Sequence, residues 1–236
     1  MIDARERLIV ALDVPSAEEA KKLVTRLDGL ISFFKVGLEL FTAVGPDFVR
    51  ALVSERKKVF LDCKFFDIEE TVRRAVEAAA RLGATFLTVH ASGGAMNAAV
   101  CGAQGTDLKI LAVTVLTSMD ASDIKESGFE GSIQELVSYR AKRALEAGCH
   151  GVVASGQEAR KIRALSRELI IVTPGIRPAG ADQHEQKRAT TPTEAIQAGA
   201  DYLVVGRPIR DAADPRAAAE KILAQMEAAL GHCKNP

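Results

Sequence analysis

The sequence predicts an α/β chain folded as a (β/α)8 TIM barrel, a single domain over residues 1–236. Three observations predict it. Short runs rich in Val, Ile, Leu and Phe recur eight times along the chain. Segments with helical periodicity and helix-start signals separate them. Polar residues gather where the runs end, and the C-terminal ends of the strands are where such a barrel carries its chemistry. A Rossmann-type open sheet competes, but no G-x-G-x-x-G follows the first strand.

The eight predicted strands are residues 8–14, 31–37, 59–63, 85–90, 109–115, 151–154, 169–173 and 202–206. Most are continuous apolar runs, which suits parallel strands covered on both faces. Ser16 with Glu19 reads as a capping box at the start of the first helix, and Ser132 with Glu135 repeats it. Thr191-Pro192-Thr193-Glu194 adds a proline at the first helical position, and Asp214-Pro215 opens the last helix in the same way. Gly83, Gly148 and Gly199 stop helices just before the next strand. Two loops are long, residues 117–131 after strand five and 174–190 after strand seven. Such lengths in a compact domain mark binding loops or lids.

Lys plus Arg is 31 and Asp plus Glu is 31, so the formal net charge is +0. Hydrophobic residues make up 47% and charged residues 26%, which excludes global disorder. A neutral chain has no electrostatic case for coating nucleic acid or an anionic membrane. No run approaches the ~18 apolar residues needed to span a bilayer. The first seven residues alternate in charge and lack a signal peptide's apolar stretch, so a cytoplasmic location is expected. Cys63, Cys101, Cys149 and Cys233 are far apart, with no C-x-x-C pair, and read as free structural thiols. His90, His150, His184 and His232 are scattered, and nothing has metal-ligand spacing.

The strand ends carry, in order, Asp13, Lys35, Asp62-Cys63-Lys64 followed by Asp67, His90, Thr117-Ser118, Ser155, Gly175-Ile176-Arg177 and Gly206-Arg207. The sharpest cluster is Asp62-x-Lys64-x-x-Asp67. Residues i and i+2 of a strand share a face, so Asp62 and Lys64 are expected to point into the barrel mouth and Cys63 toward the helix layer. Asp67 lies beyond the strand end and can reach elsewhere, including across a subunit interface. A lysine between carboxylates stays protonated, as a fixed cation and proton donor. Lys35 nearby extends the cluster into an alternating Lys–Asp–Lys–Asp chain. The plainer reading is a structural ion-pair network.

Arg177 and Gly206-Arg207 follow strands seven and eight, where barrels often bind phosphate. Arginine forks match phosphate oxygens, and glycine lets the backbone approach closely. Gln186-Lys187-Arg188 lies in the long loop between them. Either arginine alone would read as a surface salt bridge. Their paired placement points to phosphate.

Motifs along nearly the whole chain resemble the orotidine 5′-monophosphate decarboxylase family. They are Ala11-Leu12-Asp13, Phe34-Lys35-Val36-Gly37, Asp62-Cys63-Lys64-Phe65-Phe66-Asp67-Ile68, Val89-His90-Ala91-Ser92-Gly93-Gly94, Leu116-Thr117-Ser118, Thr173-Pro174-Gly175-Ile176-Arg177-Pro178 and Val205-Gly206-Arg207-Pro208. The resemblance implies decarboxylation of orotidine 5′-monophosphate to uridine 5′-monophosphate, the final step of de novo pyrimidine synthesis. It implies that Asp13 and Lys35 hold the ribose hydroxyls, and that Asp62 sits against the substrate carboxylate. Lys64 would donate the proton to C6 as CO2 leaves. Asp67 would enter the neighbouring subunit's site in a homodimer. Thr71 would help close the site near the ribose, and Thr117 would contact the pyrimidine. Arg177, Gln186, Gly206 and Arg207 would hold the phosphate. No metal or organic cofactor is implied. The chain departs from the family's pattern at Phe66, Glu69 and Glu70, where members commonly carry a His and then Pro-Asn. That departure bears on the loop's path and its dimer contacts more than on the reaction.

Two other readings compete. A magnesium-dependent sugar-phosphate decarboxylase or aldolase of the same barrel superfamily shares the D-x-K-x-x-D strand and the phosphate loops. It carries an acidic metal ligand near the position of Lys35, and a lysine there opposes metal binding. A non-catalytic nucleotide-binding barrel would keep the arginines but has no need of the Lys–Asp chain.

Overall fold

A computed structural model of the chain describes residues 3–179 and 187–232. Within them the strands are β1 (Leu8–Ala11), β2 (Phe33–Gly37), β3 (Lys58–Phe65), β4 (Phe86–His90), β5 (Lys109–Val113), β6 (Gly151–Val153), β7 (Ile170–Thr173) and β8 (Tyr202–Val205). They close in chain order into a barrel, each pair parallel, with β8 returning to β1. Each predicted strand is present, and the (β/α)8 expectation is borne out. The edges differ for a local reason. β1 and β5 are shorter than predicted, yet the Leu12 N–H still donates to the Lys35 carbonyl and the Thr114 N–H to the Val153 carbonyl. β3 is longer than predicted because an irregularity carries extra residues into its pairing with β4.

Helices return the chain between strands along the outside, and the predicted end signals act at their termini. Ser132 and Thr191 form full capping boxes with Glu135 and Glu194, and Pro192 occupies the first turn. At Ser16 only half of the predicted box forms: Ser16 Oγ accepts the Glu19 N–H at 3.2 Å, without the reciprocal bond seen at Ser132 and Thr191. Asp214 Oδ1 accepts the backbone N–H groups of Arg216 and Ala217. Gly83, Gly148 and Gly199 take positive φ just before β4, β6 and β8. The loop after β5 holds a short helix, Ala121–Glu126, that the sequence reading did not predict. Its signal was present in Asp120-x-x-Asp123, which forms a reciprocal capping box with aspartate in place of glutamate. Among the described residues no helix is long and apolar enough to cross a membrane.

Two apolar layers hold the barrel. Outward-facing strand residues such as Phe34, Val36, Leu61, Cys63 and Leu87 pack under the helices. Inward-facing Ile9, Phe33, Phe60, Phe86 and Val204 fill the interior. Phe86 lies 5.2 Å from Phe33 and 5.1 Å from Tyr202, ring centre to ring centre, in tilted and edge-on contacts. Two residues further along, on the same inward face, Phe33 gives way to Lys35, Phe60 to Asp62 and Phe86 to Thr88. The aromatic plug therefore floors a polar mouth and keeps water from the underside of its charges.

Candidate active site

The mouth of the barrel holds a continuous chain of charge. Lys35 Nζ lies 2.7 Å from Asp13 Oδ1 and 3.6 Å from Asp62 Oδ2, and Lys64 Nζ lies 2.9 Å from Asp62 Oδ1. Burial alone would push the Asp62 carboxyl up, but the Lys35 and Lys64 ammonium groups hold it below its ordinary value. Burial likewise opposes the charge on Lys35, and Asp62 and Asp13 raise its pKa above the ordinary value. Opposite charges win here because each buried ion has a partner within about 4 Å.

The chain differs from the sequence expectation in one member. Asp13 is its terminal carboxylate, and Asp67 is not joined to it. Asp67 is exposed, and its Oδ1 accepts the N–H of the following residue, Ile68, at 2.7 Å. Asp67 sits past the end of β3, so the strand that aims Asp62 and Lys64 inward no longer directs it. Thr71 is exposed on the helix Glu69–Arg81 and, like Asp67, lies outside both cavities at the mouth.

The convergence of Asp62 and Lys64 is as expected, but its route is not a regular pleat. The β3–β4 register passes from Leu61 opposite Leu87 to Phe65 opposite Val89. Asp62, Cys63 and Lys64 thus stand where β4 has Thr88 alone. Lys64 has φ +50, a left-handed conformation that a non-glycine residue seldom adopts. Cys63 does face the helix layer, where burial pushes its thiol up to about 11.

Two adjoining cavities share Lys35, Asp62 and Lys64. The first, of about 510 Å³, carries Lys35, Lys64, Arg177, Arg207 and Arg210 against the carboxylates of Asp13 and Asp62. Five cations line it against two anions, a lining that suits an anion, although Arg210 is also paired with Asp211 at 2.5 Å. Arg177, in the loop after β7, is buried, and its backbone N–H donates to the Thr190 carbonyl at 2.9 Å. Arg207 opens the short helix Arg207–Arg210 behind Gly206. The second cavity, of about 400 Å³, is walled mainly by Val113, Val115, Leu116, Val153 and Ala154, and Thr117 and Ser118 also line it. It suits a flat, weakly polar ring. Gln186 lies outside the described residues.

Lys187 and Arg188, grouped with the phosphate loop in the sequence, turn elsewhere. Lys187 bonds Asp120 at 2.6 Å and so ties the loop after β7 to the short helix after β5. Arg188 enters the interior, 2.8 Å from the equally buried Glu158, and donates to the carbonyls of Val115 and Leu116. Each pairs with a carboxylate, and neither lines the two cavities.

Sequence reasoning missed three contributors. Gly37 has no side-chain group to signal a role in sequence, yet a Cβ there would lie 2.8 Å from both Asp13 Oδ1 and Lys35 Nζ. Arg210 reaches the first cavity and donates to the Asp13 carbonyl at 2.6 Å. Thr88 lies fully buried beneath the charges. Its position was legible, two residues past Phe86 on the inward face, but a hydroxyl in a strand carries no signal by itself. At the family departure, Glu70 pairs with Arg73 and Arg74, Glu69 packs against Gly94, and the exposed Phe66 ring stands edge-on to His90 at 5.6 Å. Among the described residues no group of three His, Cys, Asp or Glu side chains is arranged to hold a metal ion.

Residues 6–222 match the family model described as orotidine 5′-phosphate decarboxylase / HUMPS. The chain belongs to this family. It is 57% identical over 228 residues to the orotidine 5′-phosphate decarboxylase of Nitrobacter winogradskyi, covering 96% of this chain and 95% of that one. It is 53% identical over 226 residues to the enzyme of the same name from Afipia carboxidovorans, covering 95% and 96%. The crystal structure of orotidine 5′-phosphate decarboxylase from Lactobacillus acidophilus superposes with a TM-score of 0.82 at 37% identity, covering 94% of this chain and 99% of that one. The resemblance read from the motifs is borne out, and so is the barrel.

Proposed function

We propose that this chain decarboxylates orotidine 5′-monophosphate to uridine 5′-monophosphate and CO2, the last step of de novo pyrimidine synthesis, with Lys64 as the proton donor to C6. The names and high identity of its relatives support the reaction. The observation that carries the assignment of Lys64 is its 2.9 Å contact with Asp62, at the junction of an arginine-rich cavity and an apolar one. A ribose phosphate suits the first cavity and a pyrimidine the second. The bond to the leaving carboxylate then lies over the charge chain.

Loss of CO2 leaves an electron pair at C6, and the Lys64 ammonium is the cation available to meet it and pass a proton. Preorganised charge in a water-poor site is usually the largest catalytic contribution. Asp62 beside the substrate carboxylate adds repulsion. At ~4 Å and an effective dielectric of ~20 that is about 4 kcal/mol, or about three orders of magnitude in rate if fully released. The remainder is assigned to preorganised charge and to binding energy at the phosphate end, which holds the ring in place. Arg177 and Arg207, with Gln186, supply that grip, while Asp13 and Lys35 hold the ribose hydroxyls and Thr117 the ring.

No metal enters this proposal. Lys35 already supplies the positive charge between Asp13 and Asp62, where the sugar-phosphate enzymes carry an acidic ligand. A homodimer completes it, with Asp67 serving the neighbouring site and Thr71 helping to close the site near the ribose. Asp67 is exposed between Phe66 and Ile68, apolar residues that are 66% and 73% exposed, as a buried subunit contact would require. Three unpaired cysteines among the described residues suit a cytoplasmic setting. The test is to mix the protein with orotidine 5′-monophosphate in excess EDTA, following the ultraviolet absorbance and confirming the product by mass. Rapid conversion is expected. No conversion, with turnover of a sugar phosphate restored by magnesium, would overturn the proposal.

A further inference from the structure

We propose that the Thr88 hydroxyl is a positioning group for the reaction, fixing both the carboxylate of Asp62 and the backbone that carries Lys64. Thr88 is fully buried. A hydroxyl offers one proton and two lone pairs. The proton goes to Asp62 Oδ1, at 2.9 Å. One lone pair accepts the backbone N–H of Lys64, also at 2.9 Å. The same Asp62 oxygen accepts Lys64 Nζ, so one side chain sets the orientation of the carboxylate and the backbone of its lysine partner.

The need for such a group follows from the strand irregularity. Where three residues of β3 stand against one of β4, the ladder cannot serve every backbone donor. The Lys64 N–H finds a side-chain oxygen instead. Lys64 also holds φ +50, a conformation that costs energy and persists only where its surroundings impose it. The Thr88 contact is one such constraint. Without it, the Asp62 carboxylate loses a donor that fixes its plane, and the bulge loses the acceptor for its amide. Lys64 Nζ would then sample positions away from the reacting carbon. Small displacements of a positioned group are costly in rate.

The inference rests on the roles proposed for Asp62 and Lys64, and its test separates the two. Thr88→Val keeps the shape and removes the hydroxyl, and Thr88→Ser keeps the hydroxyl and removes the methyl. For Thr88→Val, kcat is expected to fall about 10- to 100-fold, the scale of losing a hydrogen bond to a charged group. Its KM and its affinity for uridine 5′-monophosphate should stay within about threefold of wild type, as expected when an interaction of the transition state is lost. Thr88→Ser should recover kcat to within about threefold. Wild-type kcat in Thr88→Val, or equal loss in both variants, would overturn the role of the hydroxyl alone. Should Thr88→Val fail to fold at the assay temperature, as judged by thermal unfolding, Thr88→Ala against Thr88→Ser carries the same comparison. An inactive wild-type protein, or full turnover by Lys64→Ala, would overturn both the site assignment and the inference built on it.

Discussion

Lys35 Nζ and Asp13 Oδ1 meet at 2.7 Å in space left open by the absent side chain of Gly37. A methyl group at position 37 would lie 2.8 Å from each of them. Neither can retreat without weakening the contact with the other. Gly37→Ala is therefore expected to leave the barrel folded and to weaken binding of uridine 5′-monophosphate by at least about tenfold, since the displaced groups are those assigned to the ribose. Calorimetric titration of product checks this. Unchanged affinity would show that the ribose does not depend on the Lys35–Asp13 geometry.

The charge chain also fixes how stability depends on pH. The pKa of Asp62 is lowered on folding, so its stabilising contribution is present above the unfolded value of 3.8 and is lost as pH falls through the lowered value. The pKa of Lys35 is raised, so its contribution is present below 10.5 and is lost as pH rises through the raised value. Unfolding of wild type and the double variant Lys35→Met/Asp62→Asn should therefore differ by a constant amount between about pH 5 and pH 9. The gap should shrink on both flanks. A gap that changes across neutral pH would contradict this account of the network.

Arg188 and Glu158 form a second buried pair, behind the site. They stand 2.8 Å apart, but both Glu158 oxygens and two Arg188 nitrogens, Nε and one terminal nitrogen, lack well-angled hydrogen bonds. Burial pushes the Glu158 carboxyl up against the pull of Arg188. Removing one partner strands a charge, so Arg188→Met should cost about 3–5 kcal/mol in urea unfolding. Adding Glu158→Leu should recover most of that loss, because an apolar pair of similar volume replaces a buried ion pair at little cost. Additive losses in the double variant would show that the two side chains act independently.

The phosphate grip has its own signature. Arg207→Ala should reduce kcat/KM for orotidine 5′-monophosphate by about 100-fold or more, the scale of a charge-assisted bidentate contact. Turnover of the nucleoside that lacks the phosphate should be unchanged by the same substitution. Equal losses on both substrates would place Arg207 in structure and not in phosphate binding.

The barrel was legible because its strands are continuous apolar runs and its helices carry strong end signals. The charged mouth was legible because Asp13, Lys35, Asp62 and Lys64 interrupt those runs at their C-terminal ends. What was not legible depends on three-dimensional register. The two-residue period assumes a regular pleat, so it found the convergence of Asp62 and Lys64 without the left-handed Lys64 that the bulge imposes. Thr88 acquires its role only from standing opposite that bulge. Arg188 reads in sequence as one of a basic run, and its turn inward is set by Glu158, on a helix that begins after β6. Asp67 reads as lying beyond the strand end, but spacing alone does not say whether it still turns back to Lys64, and here its carboxylate caps the Ile68 N–H instead.

The most direct test of the central claim is Lys64→Ala. Its conversion of orotidine 5′-monophosphate and its affinity for uridine 5′-monophosphate should be measured side by side, with thermal unfolding to confirm the fold. The account predicts that turnover is abolished while product still binds within about tenfold of wild type, because Lys64 is needed for the proton and the arginines for the grip. Near-normal turnover would contradict it, and the proton at C6 would have to come from another group.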